Sequence, residues 1–164
     1  MKLFFLPVFA GILFLLPFSA LAQNGPEDHH HDHHLWHVGF GVAGTHLVGE
    51  QGVVPGYHLH LTRQLGEHHQ WGAGLGWEMI PGSHRHNGLN LLVSSRLLPF
   101  LSLSAGPGVV IGRHDGHTEI LPAFHTELVT EFNLWGVHIG PMAGFGIDRE
   151  DRHFSLGIHL GLGF

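Results

Sequence analysis

Nineteen of the 164 residues are histidine, more than the thirteen carboxylates or the seven cationic side chains. An imidazole can exchange a proton near neutrality or give a lone pair to a transition metal, so any chemistry is expected to centre on this residue type. The densest run is His29, His30, His31, Asp32, His33 and His34. Neutral imidazoles at this density, helped by carboxylates, suit Zn2+, Cu2+ or Ni2+. Any oligohistidine binds these ions, so the run by itself is equally a solvated low-complexity arm. Smaller groups follow: Glu67, His68 and His69; His84 and His86; and His114, Asp115 and His117. Each reads first as exposed polar loop residues. A third set is scattered singly: His37, His58, His60, His125, His138 and His159, with Glu78, Arg96 and Glu127. What that set can do depends on which elements carry it.

The chain begins like a secretory leader. Lys2 is followed by an almost wholly apolar stretch to Leu16, and Ala20-Leu21-Ala22 is a small-x-small cleavage site. Residues 1–22 are therefore assigned as a signal peptide, 23–34 as a histidine-rich arm and 35–164 as the folded domain. There is no cysteine, which excludes a disulfide framework and a lipid-modified cysteine anchor. The net charge is −6 with histidine neutral, and no basic patch exists, so nucleic acid is excluded as a partner. Protonating the histidines would reverse the sign of that charge.

No later stretch is long and apolar enough for a membrane-crossing helix. Alternation with a period of two recurs instead. It is strictest at the end, where Phe154, Leu156, Ile158, Leu160, Leu162 and Phe164 alternate with Ser155, Gly157, His159, Gly161 and Gly163. Similar patterns run through Trp36–Ala43, Tyr57–Thr62, Trp71–Met79, Leu89–Leu97, Leu101–Ile111 and Trp135–Ile147, with a less regular one over 121–132. That makes eight strands, an even number as an antiparallel barrel requires, each long enough to cross a bilayer when tilted. Pro107 and Pro141 fall inside two of them, which predicts weakened pairing or bulges there. One face is large and apolar. The other is glycine with His, Glu, Asn, Arg and Ser, a poor solvent surface but a good filling for a narrow lumen. Tryptophans at 36, 71, 77 and 135 lie near strand ends, where an aromatic girdle belongs. The fold class expected is all-β, an eight-stranded antiparallel up-and-down transmembrane barrel. By parity His37, His58, His60, Glu78, Arg96, His125, Glu127, His138 and His159 face its interior, with His37 and His159 on neighbouring strands.

The leader, the eight alternating strands and the terminal Phe164 resemble the small outer-membrane barrels of the OmpA/OmpX type. The tail from His138-Ile139-Gly140-Pro141 to His159-Leu160-Gly161-Leu162-Gly163-Phe164 is also similar to histidine-rich outer-membrane barrels of Bacteroidota. The resemblance implies the outer membrane of a Gram-negative bacterium, with a periplasmic arm. It implies outer-membrane lipid and the assembly machinery, reached through the strand ending in Phe164, as partners. It also implies a monomer, and its loops are short for an adhesin.

The function expected is non-enzymatic binding of a divalent transition metal. The candidate ligands are His29, His30, His31, Asp32, His33 and His34 on the arm and His37, His58, His60, His125, Glu127, His138 and His159 inside. A purely structural barrel with a packed polar lumen is the alternative. A third reading is a lipid A-modifying enzyme, since His153-Phe154-Ser155 has the His-x-Ser spacing of barrel deacylases. Parity turns both of those residues inward, away from lipid.

Overall fold

Glycine-spaced alternation gives each segment one bulky and one nearly bare face, and such segments bury their backbone groups most fully by pairing edge to edge into a closed sheet. The computed structural model describes residues 35–66, 70–81, 86–114 and 117–164. The strands are β1 (Trp36–Leu47), β2 (Val54–Leu65), β3 (Trp71–Ile80), β4 (His86–Leu98), β5 (Leu101–His114), β6 (His117–Thr130), β7 (Phe132–Leu134), β8 (Val137–Ile147) and β9 (Arg152–Gly163). The sheet order is β6-β5-β4-β3-β2-β1-β9-β8-β7, and β6 also pairs with β8, which closes the barrel. Every pairing is antiparallel.

β6 and β7 are one barrel strand with a break. β6 pairs with β8 from Phe124↔Ile147 to Val129↔Met142, and β7 resumes at Phe132↔Ile139 in the same register. The unpaired step lies opposite Gly140 and Pro141. Pro141 has no N–H to give, and the Thr130 hydroxyl donates instead to its carbonyl at 3.1 Å. Of the two outcomes expected at the prolines, weakened pairing is the one found, without a bulge. At Pro107 the β4–β5 ladder is interrupted between Asn90↔Gly108 and Val93↔Ala105 without a change of register. Among the described residues the one register shift, between Arg96 and Leu98, lies elsewhere. The sixth segment, expected over 121–132, extends from His117 to Leu134 with this one break.

Burial follows parity, and it is inside-out. Among the described residues the buried side chains include His58, His86, Asn90, His125, Glu127, His153 and His159, while Phe40, Leu75, Leu91, Ile158 and Leu160 are exposed. A continuous apolar surface of this extent is the surface that hydrocarbon solvates. The two-residue turn between β7 and β8 has Trp135 at φ 55 and Gly136 at φ 85, and Asn133 Oδ1 accepts from the Gly136 N–H at 3.0 Å. Positive φ at both central positions matches the right-handed twist of a hairpin, although a bulky residue rarely occupies the first. Trp135 itself is 94% exposed.

Candidate metal centre in the barrel interior

The interior histidines fit because glycines face them. His58 registers with Gly41, His60 with Gly39 and Gly76, and His159 with Gly41 and Gly140. A Cβ on Gly39 would collide with the rings of His60 and His159, and one on Gly41 with His58. Each ring thus lies over a bare stretch of a neighbouring strand, which is the only way eight strands leave room for it.

The result is a stack. The His60 and His159 ring centroids are 4.9 Å apart, His58 and His159 5.9 Å, and His37 lies 5.5 Å from His60. His58, His60 and His159 each present a ring nitrogen, and the three nitrogens lie within 4.8 Å of one another. His159 is 0% exposed, and neither of its ring nitrogens has a hydrogen-bond partner. His58 Nδ1 faces Glu127 Oε2 at 3.3 Å, which leaves its buried Nε2 unpartnered as well. Carboxylate on one nitrogen and a free lone pair on the other is the arrangement of a metal-ligating histidine held by an outer carboxylate. Closing the cluster onto Zn2+ needs ligand separations of roughly 3.3 Å, given bonds of about 2.0–2.1 Å. The three rings are stacked with their planes within 25° of one another, so their in-plane lone pairs meet at one ion only after the rings turn.

A second group lies farther from Trp36 and Phe164. His125 Nδ1 faces Glu78 Oε2 at 3.4 Å, and His153 Nε2 lies 3.1 Å from Glu78 Oε1. Glu127 stands between the groups, 3.9 Å from His125 Nε2 and 4.0 Å from His60 Nδ1. Beyond His153, His86 Nε2 meets Asp148 Oδ2 at 3.0 Å. Asp148 Oδ1 also accepts from the N–H groups of Glu150 and Asp151 at the β8–β9 turn. At the opposite end His138 lies 5.6 Å from His37, and a cavity of about 40 Å3 is lined by His37, His60, Arg96 and Glu131 among others.

The single interior ligand set expected from parity is therefore divided. His58, His60 and His159 converge, with His37 beside them, while His125 belongs with Glu78 and His153. Glu127 serves both groups, and His138 lies at the rim. Arg96 keeps its register as Arg96↔Ser102 and lines the cavity at the barrel mouth, where its side chain is also exposed to solvent. His86 is not a loop residue: it opens β4 and is buried against Asp148. His153 is a further interior residue whose sequence signal is its parity, which it shares with Ser155 and His159, and the structure pairs it with Gly146. Ser155, its neighbour in that pair, is buried with its hydroxyl 2.9 Å from that of Thr45. His29, His30, His31, Asp32, His33, His34, Glu67, His68, His69, His84 and Asp115 lie outside the described residues, as do the side chains of His114 and His117.

Three solved structures share the architecture. Neisserial surface protein A (NspA) is 9% identical, with a TM-score of 0.55, over 79% of this chain and 97% of that one. The Yersinia pestis outer membrane protein Ail, in a phospholipid bilayer nanodisc, is 12% identical with a TM-score of 0.55, over 80% and 99%. The N-terminal β-barrel domain of Pseudomonas aeruginosa OprF is 12% identical with a TM-score of 0.51, over 77% and 97%. No protein-family model matches the chain, and no curated protein matches it in sequence. The fold is thus that of the small eight-stranded outer-membrane barrels, and at these identities the likeness concerns fold alone.

Proposed function

We propose that this chain is a non-enzymatic outer-membrane protein of a Gram-negative bacterium that binds a divalent transition metal inside its barrel, at His58, His60 and His159. The observation that carries the reading is His159, wholly buried with both ring nitrogens unpartnered and two further imidazoles converging on it. A buried polar group without a partner costs about 1–3 kcal/mol, and a bound cation removes that cost. Zn2+, Cu2+ and Ni2+ all suit such a nitrogen set. His37 is the fourth ligand within reach after a ring rotation, and the arm residues 29–34 concentrate the same ions at the chain's start. His138, at the rim, adds a further imidazole on the way to His37. The tail's similarity to histidine-rich barrels of Bacteroidota fits the same reading.

The outer face meets outer-membrane lipid, the last strand with Phe164 engages the assembly machinery, and the protein is a monomer. Residues 1–22 are removed on export and the arm lies in the periplasm. An enzyme reading has little support, since His153 and Ser155 both point into the lumen and Ser155 is held by Thr45. The alternative of a purely structural polar plug draws on the contacts of Glu78 and Glu127 with His125, His153 and His58.

Isothermal titration with Zn2+ tests the proposal. The refolded chain carrying alanine at His29, His30, His31, His33 and His34 is compared with the same chain carrying His159→Asn. Retained binding in the first and at least about tenfold weaker binding in the second is expected, as loss of a ligand or its support costs 10–100-fold. Equal affinities in the two would remove His159 from any metal site.

A further inference from the structure

We propose that Glu78, His125 and His153 form a second metal site, independent of His58, His60 and His159, for a divalent first-row ion such as Zn2+ or Co2+. It shares no ligand with the reading above, only a lumen that admits a cation and Glu127 as a carboxylate between the two groups. The three side chains come from β3, β6 and β9, and their ligand atoms all lie within 4.8 Å of one another. Two of the three edges are already at coordination length. The Glu78 carboxylate spans the two imidazoles, at 3.1 Å to His153 and 3.4 Å to His125. A tetrahedral zinc site has ligand–ligand edges of roughly 3.3 Å. Two imidazoles and one carboxylate with an open fourth position is a zinc-binding set in its own right.

Two further observations point to a ligand rather than to a simple hydrogen-bonded bridge. His125 Nδ1 is buried and makes no hydrogen bond, although Glu78 Oε2 lies 3.4 Å from it, so this nitrogen is left with a charged neighbour rather than a bonded partner. A cavity of about 10 Å3 lies there, lined by Glu78, Gly88, Asn90, His125, Asp148 and His153. That is about the volume of one water molecule or one small ion. The surroundings hold the ligands in place. Gly146 registers with both His125 and His153, and a Cβ on it would strike the His153 ring. Glu127 stands behind His125 on the side away from Glu78, as an outer carboxylate does for a metal-bound imidazole. The site differs from the three-histidine cluster in charge, since Glu78 offsets half that of a divalent ion.

The full chain carrying alanine at His29, His30, His31, His33 and His34, refolded in detergent, would be titrated with Co2+. Bound ion is counted by equilibrium dialysis, and tetrahedral coordination is read from visible absorption. Two tetrahedral Co2+ per chain are expected. Glu78→Gln and, separately, His153→Gln should each remove one of them or weaken it at least tenfold, leaving the His159-dependent ion in place. Either variant alone decides the matter if the other does not fold, as judged by heat-modifiable gel mobility. Unchanged stoichiometry and affinity in a folded variant overturns the second site. If His159→Asn still removes an ion in that case, the proposed function stands. Loss of an ion with Glu78→Gln and none with His159→Asn supports the second site and overturns the first. A parent chain that binds no tetrahedral Co2+ overturns both.

Discussion

The two interior clusters are built from the same residue type on the same scaffold, yet they stand differently toward a bound ion. Around Glu78 a carboxylate links two histidines, so most of that group is internally partnered. Around His159 three imidazoles stack, with Glu127 reaching His58 and His60 but not His159, which has no partner on either nitrogen. The first contributes to folding even without metal. In the second, the unpartnered imidazole of His159 is a cost to folding that the proposed cation would relieve. Breaking a buried ionic contact by removing one partner costs about 3–5 kcal/mol, whereas replacing an unpartnered polar group by an apolar one of like shape is near neutral.

The largest effect should come from the space that the three-histidine stack depends on. Gly39→Val forces a branched side chain into the rings of His60 and His159, and the expected result is failure to reach the heat-modifiable folded form. A folded Gly39→Val barrel with unaltered Zn2+ affinity would show that the stack is not required as described. Next is the contrast itself. In chelator, Glu78→Leu should lower stability in urea unfolding by about 3 kcal/mol, because His153 loses its hydrogen-bond partner and His125 its charged neighbour. His159→Leu should shift it by less than about 1 kcal/mol in either direction while abolishing stabilisation by added Zn2+ at the first site. Equal losses in the two variants would erase the distinction between the clusters.

Glu127→Gln sharpens the comparison, since this carboxylate faces His58 on one side and His125 on the other. Its loss should weaken metal binding at both clusters by about tenfold, the usual cost of removing an outer-shell partner. An effect on one cluster alone would assign Glu127 to that cluster. The smallest effect serves as a control. Trp135→Asn relieves a bulky residue at positive φ in the β7–β8 turn and should raise stability by about 1 kcal/mol with both metal affinities unchanged.

Much of the barrel was legible before any coordinates because the side-chain period of a strand is two. Parity alone placed His37, His58, His60, Glu78, His125, Glu127, His138 and His159 inward and the bulky residues outward. The prolines break the ladder, one of the two outcomes their missing N–H predicts, but do so without moving the register. His86 was placed in a loop because the alternation of β4 is apolar only from Leu89 onward, so the strand's first turn of polar residues carries no periodic signal.

The sequence by itself determined that strands would close around a polar interior and which residues would line it, since both follow from alternation and from the need to satisfy backbone groups away from water. Only the tertiary structure decided which lining residues meet. β9 brings His159 beside His60 on β2 across β1, and places His153 with Glu78 on β3 and His125 on β6 across the lumen. Those distances depend on barrel stagger and on glycines that let rings cross neighbouring strands. Both are properties of the closed sheet rather than of any one segment.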